Sequence, residues 1–202
     1  MSPVLKICGI TNQEDADAAI AGGATAIGFN FYAHSPRYLD PERAAAIVSD
    51  AGVQRVGVFV NESPARVQEI ARLARLDIAQ LHGEEAAADY PAGIPVWKAV
   101  RVADGSNLKV FDELPAEALL LDGPAGELYG GAGKAFDWRQ ASWLHKRIVL
   151  AGGLDALNVA EAIAAARPWG VDACSRLESA PGRKDHKKML AFLAAAKAAF
   201  GL

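Results

Sequence analysis

The sequence holds only two cysteines, Cys8 and Cys174, among 202 residues. They are too few and too far apart for a disulfide framework or a CxxC-type zinc site, so a reducing compartment, the cytoplasm, is expected. A basic excess is missing as well: 21 Lys and Arg stand against 24 Asp and Glu, a net charge of −3. With nothing to neutralise a phosphate backbone, nucleic acid is not an expected partner. No apolar run reaches the roughly 18 residues that span a bilayer, and the opening MSPVLKICGIT lacks the basic-then-apolar layout of a secretory signal. A membrane is therefore not an expected partner either. Against these absences stand 51% hydrophobic and 22% charged residues, enough for one well-buried core and a single domain over 1–202.

Short β-branched runs alternate with Ala-rich amphipathic stretches along the whole chain. Strands are expected at Val4 to Cys8, Ala24 to Phe29, Arg55 to Val60, Ile78 to Leu81, Val96 to Val100, Ala118 to Asp122, Arg147 to Ala151 and Val171 to Cys174. Helical stretches follow. The first runs from Asn12 to about Gly22, the second from Pro41 to about Ala51 and the third from Pro64 to Leu76, with a weak one near Glu84 to Tyr90. Others centre on Leu108, Trp143, Ala162 and Phe192. The strands are nearly continuous apolar runs, the pattern of a parallel sheet covered on both faces. Eight such units point to an α/β fold, a single-domain (β/α)8 TIM barrel, with an open doubly wound sheet as the alternative.

The polar and reactive residues gather just after the strands, whose loops in a barrel open onto one face. Cys8 ends the first strand, where it is either reactive or a small buried hydrophobe. Asp122 follows Leu119-Leu120-Leu121, so partial desolvation should raise its pKa and let it hold a proton near neutral pH. Alternatively it caps a helix or pairs with Lys6 or Lys98. Gly152 and Gly153 after the seventh strand, with Asn158 at the next helix, suit a backbone that approaches an anion. Ser175 and the Gly182-Arg183-Lys184 segment follow the eighth, completing the usual phosphate position of a barrel, although paired glycines also make a plain tight turn. The long segment from Gly123 to Lys134, with Gly130, Gly131 and Gly133, suggests a lid, since a loop of that kind is costly to order unless it closes over something. Its Gly-x-Gly-Lys lacks the spacing and the hydroxyl of a nucleotide P-loop.

Taken together, Lys6-Ile7-Cys8-Gly9-Ile10-Thr11, GFNFYAHSPRY (28–38), VGVFVN (56–61), QLHGE (80–84), Leu119 to Asp122, GGAGKAFDW (130–138), Ala151 to Leu154 and Gly170 to Asp172 resemble the phosphoribosylanthranilate isomerase family of tryptophan biosynthesis. The resemblance implies an Amadori rearrangement of N-(5'-phosphoribosyl)anthranilate to 1-(2-carboxyphenylamino)-1-deoxyribulose 5-phosphate. It also implies no cofactor and no metal, and a phosphorylated small molecule as partner of a monomer or homodimer. In its terms Cys8 is the general base and Asp122 the general acid. Arg37 grips the substrate carboxylate, Asp172 lies near the anthranilate amine or is structural, and His82 is a wall residue or one that supports the wall from behind, rather than the base. Arg176 departs from the family pattern by standing where a small residue is usual.

A cysteine base must be a thiolate, and strand alternation is taken to turn Lys6 away from it. Closing the first strand on the eighth would bring Cys8 and Cys174 to one rim, at roughly disulfide range if their side chains face each other. An indole-3-glycerol phosphate synthase on the same fold would need a lysine acid and an N-terminal extension. A non-catalytic scaffold would have lost the acid or base. Action on the analogous histidine-pathway aminoaldose would call for a second phosphate grip in the first half of the chain, where no glycine-rich anion loop is evident.

Overall fold

The computed structural model describes residues 2–102, 108–123 and 138–202. Eight strands, β1 (Val4–Cys8), β2 (Ala26–Asn30), β3 (Gln54–Phe59), β4 (Ile78–Leu81), β5 (Val96–Arg101), β6 (Ala118–Asp122), β7 (Arg147–Leu150) and β8 (Gly170–Ala173), pair in chain order, each parallel to the next. β1 also pairs with β8, in the register Lys6↔Asp172 and Ile7↔Ala173, so the sheet closes into the expected barrel.

Closure gives each strand an inside and an outside, and alternate residues take them in turn. Val4, Ala26, Val56, Ile78, Trp97, Ala118, Leu120 and Val149 point inward and pack on one another. Leu5, Ile7, Ile27, Phe29, Leu119, Leu121 and Val171 point outward into the layer beneath the helices. Both sets are apolar because both faces are covered, and the strands therefore read as unbroken apolar runs.

The helices keep the outer layer dry. α1 (Gln13–Ala21) starts at Asn12, whose side chain accepts from the Asp15 backbone N–H. α2 (Pro41–Ala46) and α3 (Pro64–Leu73) place proline in the first turn after Asp40 and Ser63 caps. α4 (Val159–Ala166) and α5 (His186–Phe200) pack on each other and complete the ring. α5 is capped by Asp185 and stops at Gly201 with φ of 75°.

The expected count of eight helices is corrected. Among the described residues the units after β4, β5 and β6 carry 3-10 turns, at Ala87–Asp89, Leu108–Phe111 and Trp138–Trp143. These segments lack a long apolar stripe to hold a full helix against the sheet. α2 is also shorter than its sequence suggests. The chain turns extended at Ile47, and the buried Arg55 guanidinium, lying over the Phe29 ring, takes the carbonyls of Ala44, Ile47 and Ala74. One side chain thus satisfies carbonyls at the ends of both α2 and α3. After β8, a short hairpin of β9 (Glu178–Ala180) and β10 (Arg183–Lys184) folds back beside the barrel mouth.

Candidate active site

At the C-terminal ends of the strands lies a cavity of about 500 Å³, within the range of small-molecule sites. Its strand residues continue the inward-facing series: Cys8 after Val4 and Lys6, Asp122 after Ala118 and Leu120, and Asp172 after Gly170, with Cys174 just past the end of β8. The sequence candidates Cys8, Arg37, Asp122, Gly152, Gly153, Asp172 and Ser175 all line this one cavity, and so does Arg176. The expected lid residues Gly130, Gly131 and Gly133 lie outside the described residues.

Lys6 corrects the sequence reading. Residues two apart on a strand share a face, so Lys6 lies on the same side as Cys8 and not opposite it. Its side chain is fully buried, and Nζ donates to Asp172 Oδ2 at 2.9 Å. This pairing follows from the closure register, which sets Lys6 beside Asp172. Burial pushes the Asp172 carboxyl up to about 7 despite the Lys6 charge, and its Oδ1 is buried without a hydrogen-bond partner. A polar group left open in a cavity wall is an invitation to a ligand donor.

Cys8 and Cys174 are both free thiols, and both line this cavity. The neighbouring Cys174 thiol holds the Cys8 thiol well below the ordinary thiol range. Burial opposes it, while the Lys6 ammonium beside Cys8 reinforces it. The same contact and burial push Cys174 up. Gly9 between them has φ of +73°, and a Cβ there would stand 2.9 Å from the Cys174 sulfur and 3.0 Å from Arg37 Cδ. Only glycine fits this turn without displacing both side chains.

Asp122 is held across the cavity wall from His82, with Oδ2 3.5 Å from His82 Nε2, while Gln80 Nε2 and His82 Nδ1 lie 3.0 Å apart. Neither suggested lysine pairs with Asp122, since Lys6 is on Asp172 and Lys98 is on Glu85 at 2.8 Å. Its side chain keeps 30% of its surface exposed, so it is less desolvated than the preceding leucines suggest. His82 lines the cavity.

Gly152 and Gly153 have φ of +89° and +65°, and a Cβ on Gly152 would stand 2.5 Å from the Gly123 backbone nitrogen. The close approach of the loops after β6 and β7 therefore requires glycine, independently of any ligand. Asn158 steadies this turn, donating from Nδ2 to the Gly153 carbonyl and accepting from the Asp155 N–H. Arg176 donates to Asp155 Oδ2 at 2.6 Å and so ties the loop after β8 to the loop after β7.

The Gly182-Arg183-Lys184 segment does not flank the glycine pair. Lys184 turns inward to the Cys174 carbonyl at 3.3 Å and to Glu178 Oε1 at 3.1 Å, and Arg183 is exposed on the hairpin. Sequence reasoning missed Glu178, which grips Arg37 by two hydrogen bonds, Nε to Oε1 at 2.8 Å and Nη2 to Oε2 at 2.6 Å. A separation of 141 residues leaves no local signal for that pair.

The described residues hold no group of three His, Cys, Asp or Glu placed to bind a metal ion, and no helix among them is long and apolar enough to cross a membrane. The site has a thiol held toward its anionic form, a carboxyl group on another wall, a guanidinium and a glycine turn, all around one space. That arrangement suits proton removal and delivery on a bound anion.

Comparison with known proteins agrees with this chemistry. A family model described as N-(5'phosphoribosyl)anthranilate (PRA) isomerase matches residues 5–195. A protein of Solibacter usitatus named N-(5'-phosphoribosyl)anthranilate isomerase is 66% identical over 198 residues, 98% of this chain and 99% of the relative. The crystal structure of phosphoribosyl anthranilate isomerase from Thermotoga maritima, 42% identical, superposes with a TM-score of 0.87 over 98% of this chain and 100% of that one. A structure of such an isomerase in complex with reduced 1-(o-carboxyphenylamino)-1-deoxyribulose 5-phosphate, 38% identical, gives 0.86 over 98% and 100%. On barrel, cavity and sequence alike, the chain belongs to the N-(5'-phosphoribosyl)anthranilate isomerase family.

Proposed function

We propose that the cavity carries out the family's reaction, the Amadori rearrangement of N-(5'-phosphoribosyl)anthranilate to 1-(2-carboxyphenylamino)-1-deoxyribulose 5-phosphate in tryptophan biosynthesis, by proton transfer between Asp122, the substrate and Cys8. Opening the furanose needs a proton on the ring oxygen, and Asp122 delivers it, leaving a Schiff base. The Cys8 thiolate then takes the proton from the C2' carbon, giving an enolamine that tautomerises to the aminoketose. One group gives and another takes, so both must face one substrate. The observation that carries this reading is that Cys8 and Asp122, on strands β1 and β6, line the same cavity.

Asp172 offers its unpartnered Oδ1 to the anilino N–H. Arg37 binds the anthranilate carboxylate through the part of its planar fork that Glu178 does not occupy, and the Glu178 clamp keeps that fork from rotating away. The backbone at Gly152 and Gly153, with Ser175, takes the phosphate, the anion to which a positive-φ glycine turn after the seventh strand is suited. The proposed lid is the segment with Gly130, Gly131 and Gly133. A biosynthetic step on a soluble phosphorylated intermediate fits the cytoplasm. The partner is that small molecule. A Thermotoga maritima relative is a dimeric enzyme from which monomers were generated, so monomer and homodimer are the assembly states we propose.

The test follows substrate fluorescence as it is consumed by the parent, Cys8→Ala and Asp122→Asn. Each substitution should lower turnover by a factor on the order of 100 to 10,000. Near-parental turnover in either variant removes that residue from the reaction.

A further inference from the structure

Two cavity-lining residues at the end of β4 take no part in the proton transfers described so far. Gln80 continues the inward-facing series from Ile78, and His82, two residues on, stands just past the strand. The Gln80 side chain is buried, and among the described residues its Oε1 has no hydrogen-bond partner. An amide with an open oxygen is costly at that depth. What the amide does make is the contact with His82, Nε2 to Nδ1 at 3.0 Å.

An amide nitrogen only donates, so the Nδ1 it meets must accept, and the ring proton then sits on Nε2. Nε2 is the atom that faces Asp122, 3.5 Å from Oδ2. The reversed tautomer would set a ring lone pair against that acceptor oxygen. Backbone hydrogen bonds hold both residues in place: the His82 N–H donates to the Phe59 carbonyl at 2.8 Å, and the Asp122 carbonyl accepts from the Val102 N–H at 2.9 Å. The other carboxyl oxygen, Asp122 Oδ1, lies toward the loop after β7, 3.0 Å from where a Cβ on Gly152 would stand.

We propose that His82 is a positioning residue for the acid: with its tautomer fixed by Gln80, its Nε2–H takes Oδ2 of Asp122 and leaves Oδ1, beside Gly152, as the oxygen that carries the proton to the substrate. The inference rests on Asp122 being the acid. A carboxylic acid whose Oδ2 accepts from His82 carries its proton on Oδ1. As the furanose oxygen takes that proton and its bond to the sugar carbon breaks, the electron pair of the O–H bond stays on the carboxylate. The same ring N–H then faces a full negative charge. The interaction is therefore stronger after the transfer than before it, so it lowers the barrier to ring opening and adds little to substrate binding. At 3.5 Å the contact is long for a hydrogen bond, and contacts between catalytic groups often tighten when substrate binds.

Two measurements test this. Nitrogen-15 NMR of the parent enzyme, at a pH where the ring is neutral and with His82 assigned by its loss in His82→Gln, should show the Nε2–H tautomer. Gln80→Leu should shift that ring toward Nδ1–H. An Nδ1–H ring in the parent overturns the inference whatever the activities are, and an unchanged tautomer in Gln80→Leu overturns the part assigned to Gln80. The second measurement is kinetic. His82→Leu should lower kcat by about 10- to 100-fold, the worth of a hydrogen bond to a charged group, with KM nearly unchanged. His82→Gln, which keeps a donor near the Nε2 position, should recover most of that loss. In an Asp122→Asn background His82→Leu should cost at most about twofold more, because the charge it acts on is gone. The full loss in that background, or a loss confined to KM, overturns the inference. Near-parental turnover in Asp122→Asn itself instead overturns the reading of Asp122 as the acid, and the inference with it. The parent's tautomer is read without the leucine variant, so a His82→Leu that fails to fold leaves the inference open to refutation.

Discussion

At one end of the barrel interior Val4, Ala26, Ile78, Trp97 and Val149 fill the space between the strands, whereas at the other end the same inward-facing series carries Cys8, Asn30, Asp122 and Asp172. Both ends are built by one alternation rule on the same strands. They differ in what has to fill them. The N-terminal end is closed by side chains alone, with Trp97 stacked edge-on against Trp169 at 5.8 Å and both indole N–H groups buried without a partner. There, apolar packing outweighs two lost hydrogen bonds. At the C-terminal end the space stays open to a ligand, and polar groups are tolerated in its wall because they hold one another: Lys6 with Asp172, Arg37 with Glu178. Stability and chemistry are therefore segregated along the barrel axis.

If that segregation is real, substitutions at the two ends should separate in their effects. The largest change in activity belongs to Cys8→Ala and Asp122→Asn, which should leave the urea midpoint close to the parent's. A shift of several kcal/mol in either would blur the division. At the opposite end Trp97→Ala should lower stability by about 3 to 5 kcal/mol in urea unfolding, while kcat of the remaining folded enzyme is unchanged. Lost turnover per folded molecule would show that the packed end shapes the site.

Smaller effects sharpen the picture within the polar end. Arg37→Ala should raise KM by about 10- to 100-fold, the worth of a charged hydrogen bond, with a lesser effect on kcat. A loss confined to kcat would mean that the guanidinium acts on the reacting carbon and not on the carboxylate. Asp172 supplies a pH signature. Its folded-state pKa of about 7 lies above that of an unfolded carboxylate, so the stability it contributes is present below about pH 4 and is lost as pH rises through 7. Measured against Asp172→Asn, the parent should therefore lose stability between pH 4 and 8. A constant difference across that range would contradict the burial argument.

Much of this was legible from residues in order. Runs such as Leu119-Leu120-Leu121 identify strands covered on both faces, because a side chain buried on either side must be apolar. Asn12, Pro41 and Pro64 mark helix starts through local hydrogen bonding and backbone geometry. The position of Cys8, Asp122, Gly152 and Ser175 after strands was enough to gather them at one mouth. The 3-10 turns at Ala87–Asp89 and Trp138–Trp143 were not legible, since a short stretch without a clear stripe reads much like a weak helix. Lys6 was legible in principle, because a residue two before Cys8 must share its face.

The chain by itself determined the barrel, its order of units and the face on which reactive groups collect, because burial and alternation act over a few neighbouring residues. Which groups touch was decided only in three dimensions. Lys6 finds Asp172 across 166 residues, where the last strand closes on the first, and Arg37 finds Glu178 across 141. Those contacts depend on the register of closure and on the path of a hairpin, and electrostatic interaction falls with distance in space, not along the chain.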